Sequence, residues 1–114
     1  MRVLFVDDET RILEELAELA HFFNCECVIV NNVDSAILEL TKNPNFDKIF
    51  TDWKMPGKNG LDFINEIKTQ FAQHSFPIYI MSGHIDTDFD HRSFGAVGFV
   101  RKPIILAELA PLLT

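Results

Sequence analysis

A parallel, doubly wound α/β sheet is the fold class this sequence predicts, and three observations carry the prediction. Five short apolar or β-branched runs alternate with five segments of helical periodicity. The first run, Arg2–Val6, is apolar with no break, which a strand tolerates when both of its faces are covered. The 114 residues hold one hydrophobic core but not two, so residues 1–114 are expected to form a single domain with no effector domain. Right-handed crossovers then place helices on both sheet faces.

Each element has its own justification. From Thr10 to Phe23, Ile12, Leu16, Leu19, Ala20 and Phe23 recur at helical spacing while Glu14, Glu15 and Glu18 face elsewhere; Leu13 falls at the margin of that stripe. Cys27–Val30 is a second strand. Asn32 or Asp34 then caps a helix carrying Ala36, Ile37 and Leu40. Lys48–Thr51 is the third strand, followed by a helix from Leu61 to about Phe71 whose period Leu61, Ile64, Ile67 and Lys68 mark. Ile78–Met81 forms a fourth strand behind Pro77. Poor helix formers fill the stretch from roughly Asp86 to Phe94, where a weak fourth helix is expected. Val97–Val100 make the fifth strand. Ile104–Ala110 make a last helix behind Pro103, with Pro111 expected to disturb it. Glu108 is the one ionic residue of that helix, and a helix apolar on every side calls for cover.

Composition excludes several function classes. Ten basic against seventeen acidic residues give a net charge of −7, which weighs against direct nucleic-acid binding. The apolar runs are too short to cross a bilayer, and residues 1–6 enter a strand directly, so a cytoplasmic protein without a signal peptide or membrane contact is expected. Cys25 and Cys27 stand two apart, too cramped for an ordinary disulfide and lacking the spacing of a metal knuckle; reduced thiols are expected.

In doubly wound sheets ligands bind beyond the carboxyl ends of the strands. Strand one ends in Asp7-Asp8-Glu9, strand three in Asp52, strand four in Ser82-Gly83, and strand five in Arg101-Lys102-Pro103. Each alone has a plain structural reading as a cap, a turn or a solvated charge. Together they converge on one rim. Carboxylates about 4 Å apart repel by on the order of 4 kcal/mol per pair at an effective dielectric of 20. One Lys102 cannot neutralise three acids, whereas a hard divalent ion suits carboxylates and a backbone carbonyl, for which Lys54 is placed. Mg²⁺ is the natural choice, with Mn²⁺ as the alternative ion. Acids for a metal, with an ammonium and a hydroxyl for phosphoryl oxygens, read as a phosphoryl-transfer pocket centred on Asp52.

In essentially its whole length the sequence resembles the receiver domain of bacterial response regulators. The residues that carry the resemblance are Val6–Glu9, Thr51-Asp52 with Met55–Gly57 and Asn59-Gly60, Ile80–Gly83, and Gly95-Ala96 leading to Phe99–Pro103. The resemblance implies a flavodoxin-like, three-layer fold with strand order 2-1-3-4-5. It implies that Asp52 accepts a phosphoryl group from a histidine kinase or histidine phosphotransfer protein. It implies a metal held by Asp8, Asp52 and the Lys54 carbonyl, with Asp7 acting through water, and Lys102 paired with the phosphoryl oxygens before a cis peptide to Pro103. Ser82 and Phe99 match the hydroxyl and aromatic positions that shift together in the family. Homodimer or output contacts would use the face of the fourth helix, fifth strand and fifth helix, and the first helix is a candidate docking face for the kinase.

Smaller signals stay open. Lys54 is either a solvated lysine or a modulator of phosphoryl lifetime. Gly83 leaves the phosphoryl open on one side, and His84 is either solvated or a gate for water. Phe99 reads equally as a buried strand aromatic. A signalling switch that assists its own phosphorylation and dephosphorylation, and no turnover enzyme, is the leading function. An aspartyl phosphatase of the haloacid-dehalogenase type wants Asp-x-Asp-x-Thr, and Asp7-Asp8-Glu9-Thr10 lacks that spacing. Phosphate-binding glycine motifs are missing. A phosphorylation-independent interaction module is the alternative.

Overall fold

A computed structural model describes residues 1–83 and 90–114. Strands β1 (Arg2–Val6), β2 (Glu26–Val30), β3 (Lys48–Asp52), β4 (Ile78–Ser82) and β5 (Gly98–Arg101) form one sheet in the order β2-β1-β3-β4-β5. All four pairings are parallel. Among the described residues, four α-helices flank the sheet: α1 (Thr10–Phe22), α2 (Val33–Lys42), α3 (Gly60–Gln70) and α4 (Leu106–Leu113). The expected fold class and strand order are therefore present.

Alternation along the strands divides the core in two. Leu4, Val6, Ile49, Ile78 and Ile80 point toward α2 and α3, meeting Val33, Ala36, Leu40, Phe63, Ile64 and Ile67. Val3, Phe5, Phe50, Met81 and Val100 point toward α1 and α4, meeting Leu13, Leu16, Ala20, Leu109 and Leu113. On that second face the rings of Phe5, Phe50 and Tyr79 stack across three strands, with centroids 5.2 Å and 5.0 Å apart. Burying each such side chain stabilises the fold by roughly 1.5–3 kcal/mol.

Several elements depart from the sequence reading. Leu13 is buried core, and its neighbour Ile12 lies half-buried at the cleft edge instead. On α3 the expected Ile64 and Ile67 are buried together with Phe63, Leu61 is half-buried, and Lys68 is exposed, its Nζ donating to the Phe94 carbonyl at 3.2 Å. Asn32, not Asp34, caps α2, its side chain accepting from Ser35 N–H at 2.7 Å. Strand β5 starts one residue later than expected, at Gly98.

The fourth helix departs further. Residues 86–89 of the expected span lie outside the described residues, and His91–Phe94 form a 3₁₀ turn. Local bonds compete with a helix there: Asp90 accepts from Arg92 N–H, and Ser93 Oγ donates to the Asp90 carbonyl. The last helix starts two residues late and runs through Pro111. Its terminal carbonyls are held from the sheet side, Leu112 by Lys48 Nζ at 2.6 Å and Leu113 by the Cys25 thiol at 3.0 Å. Cover is one-sided: Leu109 and Leu113 are buried, while Ile105 and Leu106 are 52% exposed. Cys25 and Cys27 are free thiols, as expected. Burial raises the Cys27 pKa, and Cys25 beside it raises it further.

Candidate functional site

The register delivers the strand ends to one place. Val6 pairs with Val30 and Thr51, Asp52 with Met81, and Ser82 with Arg101. Asp7 thus leaves β1 beside the end of β3. Its side chain is fully buried, its Oδ1 accepts from Glu9 N–H at 2.9 Å, and the adjoining Asp8 is exposed at the cleft. From beyond β5, Lys102 reaches back with Nζ 2.7 Å from Asp7 Oδ2, 3.4 Å from Asp52 Oδ1 and 4.0 Å from Glu9 Oε1. The Lys102–Pro103 bond is cis, as the resemblance implied.

These contacts set the electrostatics. Burial pushes the Asp52 carboxyl up to about 7; the charge of Asp7 and a hydrogen bond with Asp8 add to the rise, and Lys102 pulls against it. For Lys102, burial works against the ammonium, but hydrogen bonding to Asp7, with the charges of Asp7 and Asp52, outweighs it and holds the pKa above the usual value. Carboxylate oxygens of Asp7, Asp8 and Asp52 lie within 4.8 Å of one another. Three carboxylate oxygen donors this close together fit a hard divalent cation.

The loop after β3 is built to stay close. Gly60 N–H donates to the Trp53 carbonyl at 2.9 Å, and a Cβ at Gly60 would lie 2.7 Å from the Asp52 carbonyl oxygen. Asn59 and Asp62 cap α3 reciprocally. Gly57, at φ +75°, takes the left-handed conformation a Pro-Gly turn asks of its second residue. A cleft of about 510 Å³ opens above Asp52, lined among others by Asp8, Glu9, Lys54, Ser82, Gly83 and Lys102.

The structure brings together Asp7, Asp8, Asp52, Lys54, Ser82, Gly83 and Lys102. Ser82 is buried at the cleft. Phe99 is not at the cleft: it pairs with Ile80, is half-buried against the α2–α3 core, and stacks on His91 with centroids 6.5 Å apart. His84 lies outside the described residues. The sequence reading gave no role to Glu9, Ile12 or Gly60. Glu9 adjoined the acidic pair, and Gly60 stood in the Asn-Gly step, so both carried a signal; Ile12 was hidden by its assignment to the core stripe.

Parallel strands with a polar cleft at their carboxyl ends define the class of doubly wound α/β modules that bind ligands at that rim. Residues 3–114 match the family described as response regulator receiver domain, and the chain belongs to that family, part of two-component signalling. PilR of Pseudomonas aeruginosa is 31% identical over 111 residues, covering 97% of this chain and 25% of PilR. PhoB of Escherichia coli is 28% identical over 110 residues, covering 95% of this chain and 48% of PhoB. The chain therefore spans less than half the length of these relatives. Among solved structures, a receiver domain protein of Clostridium thermocellum is 29% identical, with a TM-score of 0.85 and coverage of 98% and 90% of the two chains. The chemotaxis protein CheY4 of Vibrio cholerae shares the fold at 24% identity, with a TM-score of 0.89 over 98% and 94%. Among the described residues no helix is long and apolar enough to cross a membrane.

Proposed function

We propose that this chain is a phosphoacceptor unit: Asp52 takes a phosphoryl group from a histidine kinase or histidine phosphotransfer protein, and the change of state is passed to a partner or output domain. The observation that carries the reading is the placement of Lys102 Nζ within 2.7 Å of Asp7 and 3.4 Å of Asp52, beside three clustered carboxylates. An Asp52 carboxylate oxygen forms a bond to phosphorus as the donor's P–N bond breaks. The electron pair leaves with the imidazole, which takes up a proton, and no atom is oxidised or reduced.

Asp8, Asp52 and the Lys54 carbonyl would hold Mg²⁺, or Mn²⁺, with Asp7 behind them; such an ion neutralises charge on the phosphoryl oxygens and the acids. Lys102 supplies a positive charge to those oxygens, the Ser82 hydroxyl donates a hydrogen bond to one of them, and Gly83 leaves that side open. Phe99, with Ser82, is the switch pair. The Lys54 side chain and His84 tune hydrolysis of the aspartyl phosphate. The unit acts as a cytoplasmic signalling switch, without binding nucleic acid itself. The groove between Leu19 and Phe22 of α1 and Leu106 of α4, edged by Glu15 and Glu18, supports donor docking on that side. Exposed Val97, Ile105 and Leu106 support an output or homodimer contact through β5 and the last helix.

Trp53 adjoins Asp52 and is the single tryptophan, so its emission is the test. Mg²⁺ and then acetyl phosphate should each change it, and Asp52→Asn should abolish the second change and all acid-labile phosphate. A wild-type protein that takes up no phosphate from small donors or phosphohistidine would leave the phosphorylation-independent module standing.

A further inference from the structure

The loop between β3 and α3 is tied down twice, and the second tie lies outside the cleft. Near the sheet, Trp53 N–H donates to the Met81 carbonyl at 3.1 Å and Gly60 N–H to the Trp53 carbonyl at 2.9 Å. The outer limb turns at Pro56-Gly57 and delivers Lys58 between two helices. Its Nζ sits 2.7 Å from Asp34 Oδ1 in the first turn of α2 and 2.7 Å from Glu66 Oε1 on α3. Hydrogen bonding to Asp34, then to Glu66, holds the Lys58 ammonium above the usual lysine range. Lys54, which lines the cleft, stands on the stretch between these ties.

We propose that Lys58 is a positioning residue for the cation site, clasping α2 to α3 and so holding the loop that presents the Lys54 backbone to the cleft. The proposal rests on the reading of that cleft as a Mg²⁺ site. Lys58 itself does not line the cleft. Its action is mechanical, because without it the carboxylates of Asp34 and Glu66 face each other with no cation between them, and the outer limb loses its anchor.

The sign of the effect separates a clasp from a plain charge. Deleting a cation from a protein with an acidic cleft strengthens, through space, the pull on a divalent ion. Loosening the loop weakens it. Exposed ion pairs contribute little individually, so the expected change is a few-fold.

Mg²⁺ titration of the full chain, followed by Trp53 fluorescence, tests the proposal. Lys58→Met should raise the Mg²⁺ dissociation constant about threefold. Lys58→Arg, which keeps the charge and has N–H donors for both carboxylates, should stay near wild type. Amide hydrogen exchange of residues 54–58 in metal-free Lys58→Met should be faster than in wild type. The phosphorylation rate from acetyl phosphate at saturating Mg²⁺ should be unchanged. Unchanged or tighter Mg²⁺ binding in Lys58→Met overturns the clasp, as does an equal loss in Lys58→Arg. A wild-type chain that ignores Mg²⁺ defeats the reading of the cleft instead, so the two failures are told apart.

Discussion

Between β3 and α3, residues 53–59 are fixed by backbone bonds at Trp53, a reciprocal Asn59–Asp62 cap and the Lys58 ion pairs. Between β4 and β5, the described residues carry one 3₁₀ turn, closed by Gly95 at φ +97°. Both connections leave the rim that holds Asp52 and Ser82. The first uses contacts that reach across the fold to α2, β4 and the Asp52 carbonyl itself. Bonds among neighbours, Asp90 with Arg92 and Ser93, shape the 3₁₀ turn in the described part of the second. The two meet where the Trp53 ring lies 5.2 Å from the Phe94 ring, and Lys68 of α3 holds the Phe94 carbonyl. The geometry of the cleft is therefore stored on the β3–α3 side, and the 3₁₀ turn leans on it.

Gly60→Ala attacks the stronger side directly. Its Cβ would press on the Asp52 carbonyl, which is backbone and cannot step aside. A loss of about 3 kcal/mol in urea unfolding is expected, with Mg²⁺ binding lost in parallel. Titration of Asp52 gives the next largest effect. Its carboxyl, raised to about 7 in the fold from the ordinary 3.8, holds its proton more tightly than in the unfolded chain. That stability is complete below about pH 4 and lost as pH rises through about 7. After a discount for solvent screening at the open cleft, metal-free protein should lose about 2 kcal/mol over this window relative to Asp52→Asn, as urea midpoints at several pH values would show. Phe94→Ala removes the contact between the two connections. It should cost about 1 kcal/mol, since the ring is half-buried, and shift Trp53 emission to the red. The smallest effect belongs to Gly83→Ala, whose Cβ would meet Lys102 at an ordinary 3.6 Å; a change within about 0.5 kcal/mol is expected. Should Gly83→Ala cost as much as Gly60→Ala, the contrast between the two connections is wrong.

How far the sequence could be read follows the same contrast. Strands β1, β3 and β4 were legible because continuous apolar runs have few other homes in a doubly wound protein. The convergence of Asp7, Asp8, Asp52, Ser82 and Lys102 was legible because the topology sends every strand end to one rim. Spacing could not tell Leu13 from Ile12, since both fit a helical stripe and the twist of the sheet decides which one is covered. The 3₁₀ turn escaped because Asp90 and Ser93 satisfy the backbone locally, a choice invisible to periodicity. Helix α4 outran Pro111 because Lys48 and Cys25, distant in sequence, hold its last carbonyls. Lys58 carried no local sign at all; its partners lie on two other helices.

The charge count at the cleft has one more result. Asp7, Asp8, Glu9 and Asp52 outnumber Lys54 and Lys102 there. If the cleft is the phosphoacceptor site proposed above, an anionic donor would be repelled by this excess until a divalent cation sits among the acids. On that reading admission would be a two-key affair, cation first and phosphate second, with the raised pKa of Asp52 as the bolt that the first key draws.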